Sequence, residues 1–228
     1  MWWQKVIFIC FSTQQLNDST NSMIAIIDYG AGNLTSVKRA LDYLKIPSVI
    51  SPDPKAVRSA KQIIFPGVGH AAAAMKKLRE RGLDGALRDA FAAGTPIMGI
   101  CLGTQIILSR SEEGDTECLG IIAGTVPRFR LSDPALKVPH MGWDAITVKQ
   151  KHPVLCDVRP GDEFYFVHSY YPLPSDPSAV IATCGYETEF PAIIGAMNFI
   201  GTQFHPEKSG SAGLRILKNF AAWKGAPC

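Results

Sequence analysis

The pattern of apolar and polar positions changes texture about halfway along the chain. In the first half, short apolar blocks alternate with stretches of helical spacing, the marks of buried strands and of helices with one buried face. Ile24-Ala25-Ile26-Ile27-Asp28 predicts a first strand ending in Tyr29-Gly30-Ala31-Gly32-Asn33. Leu34, Val37, Leu41 and Leu44 then recur at helical spacing until Lys45-Ile46-Pro47 stops the helix. Val49-Ile50 is a short second strand, and Gln62 to Phe65 a third, closed by Pro66-Gly67-Val68-Gly69. Two helices follow, with Met75 and Leu78 inward in one and Leu83, Leu87, Ala90 and Phe91 inward in the other. Gly94-Thr95-Pro96 ends the second and leads into the apolar run before Cys101.

From Leu119 onward the periodicity shortens. Ile121–Phe129, Ala145–Val148, Phe164–Val167, Ala179–Thr183, Ile193–Asn198 and Thr202–Phe204 are β-like runs between turn residues. A last helix carries Leu214, Leu217, Phe220 and Ala221 on one face. Strands alternating with helices predict an α/β fold: an open, mostly parallel central sheet with helices on both faces. The later runs predict an antiparallel or mixed β extension of that sheet. Ligands in such sheets sit at the carboxyl ends of strands, where both glycine loops and Cys101 fall. No linker divides the halves, and 228 residues suit one compact domain.

The first 22 residues stand apart from this pattern. Val6 to Phe11 are too short a run to span a bilayer, and polar Gln14, Gln15, Asn17 and Asp18 follow in place of a cleavage site. The expectation is an N-terminal extension over 1–22, either disordered or upstream of a true start at Met23, followed by one domain over 23–228. A net charge of +3, scattered along the chain, gives no nucleic-acid surface. The six cysteines, at 10, 101, 118, 156, 184 and 228, have no C-x-x-C spacing. They read as reduced thiols of a cytoplasmic protein, with no metal site indicated.

Candidate chemistry concentrates in Gly99-Ile100-Cys101-Leu102-Gly103-Thr104-Gln105. A buried strand turning sharply into a helix, with a cysteine at the apex, has the form of a nucleophile elbow. Glycines on either side would let the backbone turn, the helix N-terminus favours a thiolate, and the Leu102 N–H points to where an oxyanion forms. A cysteine nucleophile needs a base and an orienting group. In Phe204-His205-Pro206-Glu207 the residue before proline is extended, so His205 and Glu207 are expected to project together into the cleft. Val68, on a loop after the neighbouring strand, is the candidate second oxyanion donor. The plain alternatives are a buried structural cysteine, a surface His-Pro-Glu turn and an ordinary glycine-rich turn.

Together, G-I-C-L-G-T-Q, P-G-V-G and F-H-P-E resemble the class I, triad-type glutamine amidotransferases. D-Y-G-A-G-N-L at 28–34, K-V-P-H-M-G-W at 137–143, F-V-H-S-Y-Y at 166–171 and G-T-Q-F-H-P-E-K-S at 201–209 are similar to the glutaminase subunits of imidazole glycerol phosphate synthases. The likeness runs from Met23 to about Trp223. It implies a Cys101-His205-Glu207 triad, an oxyanion hole at Val68 and Leu102, and glutamine contacts at Gly67, Gly69, Gln105, Ser169 and Tyr170. It also implies no cofactor, and a heterodimer with a cyclase subunit reached through Asn33, Trp143, Tyr165 and Lys208. The ammonia released from glutamine would serve histidine biosynthesis. Thr104, Asp144 and His70 depart from the residues usual in that family, where methionine, asparagine and a small residue are common. Two readings stay open beside it: a glutaminase of a different amidotransferase complex, and a catalytically inactive scaffold of the same fold.

Overall fold

The computed structural model describes residues 23–30 and 32–226, so the expected extension over 1–22 lies outside the described residues. The first half follows the predicted alternation. Strand β1 (Ile24–Ile27) leads to helix α1 (Leu34–Tyr43), β2 (Ser48–Ser51), α2 (Pro54–Ser59) and β3 (Gln62–Gly67). Helices α3 (Ala71–Glu80) and α4 (Leu83–Ala92), strand β4 (Ile97–Cys101) and helix α5 (Leu102–Gln105) come next. The second half comprises β5 (Arg110–Ser111), β6 (Thr116–Glu117), β7 (Gly124–Val126), β8 (His140–Ala145), β9 (Thr147–Val148), β10 (Glu163–His168) and β11 (Leu173–Pro174). Strands β12 (Val180–Tyr186), β13 (Thr188–Ala196) and β14 (Phe199–Thr202) and helix α6 (Gly210–Ala222) complete it.

The central sheet has eight strands in the order β2-β1-β3-β4-β14-β13-β12-β9. Strands β2, β1, β3, β4 and β14 are parallel, and β13, β12 and β9 continue antiparallel. Alternation along each strand divides the core between two faces. Ile24, Ile26, Ile64, Met98 and Ile100 pack with Val37 and Leu41 of α1 and Ile216, Leu217 and Phe220 of α6. Ala25, Ile27, Ile63, Phe65 and Ile97 pack with Val57 of α2, Met75 and Leu78 of α3 and Leu87 of α4.

Several expectations are corrected. The β-like runs sort into three sheets rather than one extension: β8 pairs with β10 separately, and β11, β7, β5 and β6 form a small sheet of their own. The run over Ile121–Phe129 shrinks to β7. Helix α2 escapes the periodicity because it is six residues long and buries only Val57. On α6 the buried stripe is Ala212, Ile216, Leu217 and Phe220, with Leu214 and Ala221 half-buried at its edges. The helix after Cys101 is a single turn. The carbonyls of Ile106, Ile107 and Leu108 accept from the N–H groups of Leu119, Ile121, Ile122 and Gly120, so they cannot receive a continuing helical ladder.

Candidate active site

Strand order brings the candidate residues together. Strand β4 lies between β3 and β14, all parallel, with Gly67 opposite Cys101 and Ile100 opposite Thr202. Val68, Leu102 and the Gln203–His205 stretch therefore leave the sheet side by side at one carboxyl edge. Cys101 sits at φ 53°, ψ −111°, a conformation that costs an L-residue on the order of 1–3 kcal/mol and persists only where its surroundings enforce it. Against the expectation from sequence, the flanking glycines do not supply the turn; Cys101 itself carries the positive φ. Gly103 is there for space, since a Cβ on it would lie 1.9 Å from the Phe65 carbonyl oxygen. Thr104 fixes the turn from behind, its hydroxyl donating to the Thr202 carbonyl at 2.8 Å.

A cavity of about 290 Å³ opens at this edge. Cys101, Leu102, Val68, Gly69, Gln105 and His205 line it, and Ser169 and Tyr170 form the opposite wall. Gly69 holds φ +98°, where a side chain would be strained. Gly67, expected to contact glutamine, is not among the residues lining the cavity, and it has room for no Cβ: Gly103 N, Leu102 Cβ and the Tyr29 hydroxyl would all be at 2.8 Å.

His205 is 1% exposed, and its Nδ1 is 2.8 Å from Glu207 Oε1. Glu207 does not project into the cleft beside it, as extended chain would require. Pro206 starts a 3₁₀ turn over Pro206–Lys208 that tucks the carboxylate behind the imidazole, with its side chain 1% exposed. Burial by itself would lower the His205 pKa, but Cys101 and Glu207 outweigh it and raise the value to about 10. The imidazole thus keeps its proton at neutral pH. Its Nε2 has no hydrogen-bond partner among the described residues, so that edge is free for a reacting group.

Two contacts in the cleft were not anticipated from sequence. Gln203 Nε2 donates to Cys101 Sγ at 3.6 Å, while Gln203 Oε1 accepts from Gln105 Nε2 at 2.9 Å. Its position two residues before His205, on an extended segment, was the signal that could have found it. Glu113 also lines the cleft, its Oε2 accepting from Ala71 N at 2.7 Å; nothing in its local sequence marks it. His70 caps α3 through Nδ1, which accepts from Ala72 N at 3.2 Å.

Of the residues expected at a partner surface, Trp143 and Tyr165 are opposite one another on β8 and β10, their ring centroids 5.8 Å apart. Lys208 Nζ lies 5.8 Å from the Tyr165 ring centroid. Trp143 is 49% exposed and its neighbour Met141 62%. Asn33 stands at the N-terminus of α1 without a side-chain capping bond. Among the described residues no group of three or more potential metal ligands gathers, and no helix is long and apolar enough to cross a membrane.

The family profile for "Glutamine amidotransferase class-I" matches residues 25–223. The chain belongs to the class-I glutamine amidotransferase family. Among its relatives, "Imidazole glycerol phosphate synthase subunit HisH" of Nitratidesulfovibrio vulgaris (strain DSM 19637 / Miyazaki F) is 50% identical over 206 residues, covering 88% of this chain and 97% of that protein. The protein of the same name from Geobacillus sp. (strain WCH70) is 48% identical, covering 88% and 96%. A solved glutamine amidotransferase has the same fold at a TM-score of 0.66 and 18% identity, covering 88% of this chain and 100% of that one. The structure of PurLQS from Thermotoga maritima matches at 0.67 and 17%, covering 88% and 97%.

Proposed function

We propose that this amidotransferase, working through residues 23–228, is the glutaminase subunit of an imidazole glycerol phosphate synthase. One observation carries the reading: a strained cysteine and a proton-holding His205, backed by Glu207, line the same small cleft. The relatives at about half identity, named as subunits of that synthase, support it.

In the proposed reaction the Cys101 thiolate attacks the carboxamide carbon of glutamine. The oxyanion that forms takes hydrogen bonds from the Leu102 and Val68 N–H groups, each such donor being worth about 3–4 kcal/mol in related chemistry. His205 gives its proton to the departing nitrogen, the C–N bond breaks, and ammonia leaves a γ-glutamyl thioester on Cys101. Water then attacks the thioester, His205 takes the proton, and glutamate departs as the sulfur is restored. Glu207 holds the imidazole and stabilises its charged form. Gln203 donates to the sulfur. Gly67, Gly69, Gln105, Ser169 and Tyr170 shape the glutamine site, and the Glu113 carboxylate suits the α-ammonium of an amino acid.

Ammonia released into water at neutral pH is trapped as ammonium. A docked cyclase subunit avoids that loss and uses the ammonia to form imidazole glycerol phosphate and an aminoimidazole carboxamide nucleotide in histidine biosynthesis. The exposed Trp143-Tyr165-Lys208 cluster, with Asn33, is the proposed docking surface. Cys101→Ala in the complex should abolish glutamine-dependent synthesis while supplied ammonia still works. Loss of both reactions would mean that the cysteine is structural, and retention of both would end the proposal.

A further inference from the structure

Behind the Ser169–Tyr170 wall lies a buried chain of hydrogen bonds that the steps above leave unused. The Tyr170 carbonyl accepts from Gln105 Nε2 and from His168 Nδ1, both at 2.8 Å. His168 and His140 are opposite each other on β10 and β8, with His168 Nε2 3.1 Å from His140 Nδ1. His140 Nε2 in turn lies 2.7 Å from Asp144 Oδ2. Both rings are buried: His140 is stacked against Phe166 and Tyr186 and edged by Phe190, and His168 is tilted against Phe166 and Phe190. Asp144 alone reaches the surface, its side chain 42% exposed.

Hydrogen-bond chemistry assigns the protons. A carbonyl oxygen only accepts, so His168 Nδ1 carries a proton. Burial pushes the His168 pKa down to about 3, so the ring is neutral and its Nε2 is a bare lone pair. His140 Nδ1 must therefore donate to it. That leaves His140 Nε2 facing a carboxylate oxygen at a separation favourable only with a proton between them. Asp144 is therefore the outer anchor of a chain that ends on the Tyr170 carbonyl.

We propose that Asp144, acting through His140 and His168, is a positioning residue that holds the Tyr170 carbonyl, and with it the glutamine-facing wall. Without the Asp144 side chain, His140 Nε2 loses its partner and the ring is no longer held against His168 Nε2. Tyr186, from β12, does not replace it, because its hydroxyl donates to the Lys137 carbonyl.

The proposal rests on the glutaminase reading, and its test separates the two. Asparagine at 144 would donate its amide to His140 Nε2 and complete the chain. Glutaminase kcat and KM are measured for the wild-type complex, Asp144→Asn and Asp144→Ala. The KM for glutamine should rise about fivefold in Asp144→Ala, the weight of one hydrogen bond, with kcat little affected by position 144. Asp144→Asn should keep the wild-type KM. An unchanged KM in Asp144→Ala, or an effect on kcat alone, would overturn the proposal. A second readout needs no activity: proton NMR of the wild type should show a far-downfield resonance from the His140–Asp144 bond, missing in Asp144→Asn. Its absence from the wild type would refute the relay, whereas a complex without glutaminase activity but with that resonance would refute only the enzymatic reading.

Discussion

Substituting Gly103 with alanine tests whether close backbone approach builds the cysteine elbow. The new Cβ would lie 1.9 Å from the Phe65 carbonyl oxygen, against a closest real approach of 3.0 Å, so β3 and α5 must part by about 1.1 Å, the difference of the two. Neither side yields cheaply. Phe65 is inside β3, paired to β4, and Thr104 is tied to the Thr202 carbonyl. Overpacking of this kind costs about 1–3 kcal/mol, a fall in Tm of roughly 2–12 °C at this chain length. The chemical cost should be larger, because the shift acts one residue from the Leu102 N–H. A misplacement of about 1 Å in a reacting constellation costs roughly 100-fold in rate. Calorimetry gives the Tm, and glutamate release by the complex gives kcat/KM. Gly69→Ala is the control: its Cβ meets nothing within 4 Å, but its φ of +98° is unfavourable for a side chain, so any effect there comes from backbone conformation. A Gly103→Ala enzyme with kcat/KM within about twofold of wild type and an unchanged Tm would show that the elbow does not depend on this contact.

Glu207→Gln removes a charge that helps hold the His205 pKa near 10. That pKa should fall toward about 6.5 and kcat by roughly 10²–10⁴; an NMR titration and steady-state kinetics measure the two. Gln203→Met removes the donor to Cys101 Sγ and should slow alkylation of Cys101 by iodoacetamide at pH 7 about tenfold; an unchanged rate would show that the contact does not tune the sulfur. Stability should also depend on pH in opposite senses. His168 and His152, lowered by burial to about 3 and about 4, take up protons in the unfolded chain before the folded one. Their contribution is complete above about pH 6.5 and is lost as pH falls toward those folded values. His205 contributes fully below about pH 6.5, and its share fades as pH rises through about 10. Urea midpoints at pH 7.5 and 5.5 should therefore fall with acid, and His152→Gln should lessen that fall.

The parallel half of the fold was legible because its signals are local. Helices α1, α3 and α4 each bury one face, which leaves a helical period in the residues, and strands β1 and β4, buried on both faces, leave continuous apolar runs. Cys101, His205 and Glu207 were legible for a chemical reason: few residue types at few spacings serve as nucleophile, base and orienting group. Helix α2 and the one-turn α5 were too short for any period to declare itself. The later strands looked alike in sequence, and their sorting into three sheets depends on partners far along the chain.

Other features were decided only in three dimensions. The positive φ of Cys101, the 3₁₀ turn that places Glu207 behind His205, the Glu113 carboxylate in the cleft and the His140–His168 pair all arise where distant segments meet. So does the most consequential feature, the convergence of Cys101 and His205. Residue pattern settles which residues are buried, but not that β4 lies between β3 and β14. That order is set by how helices on both faces and the antiparallel edge share one core. A local pattern records the demand for burial at its own position, and it carries no label for the surface that will meet that demand.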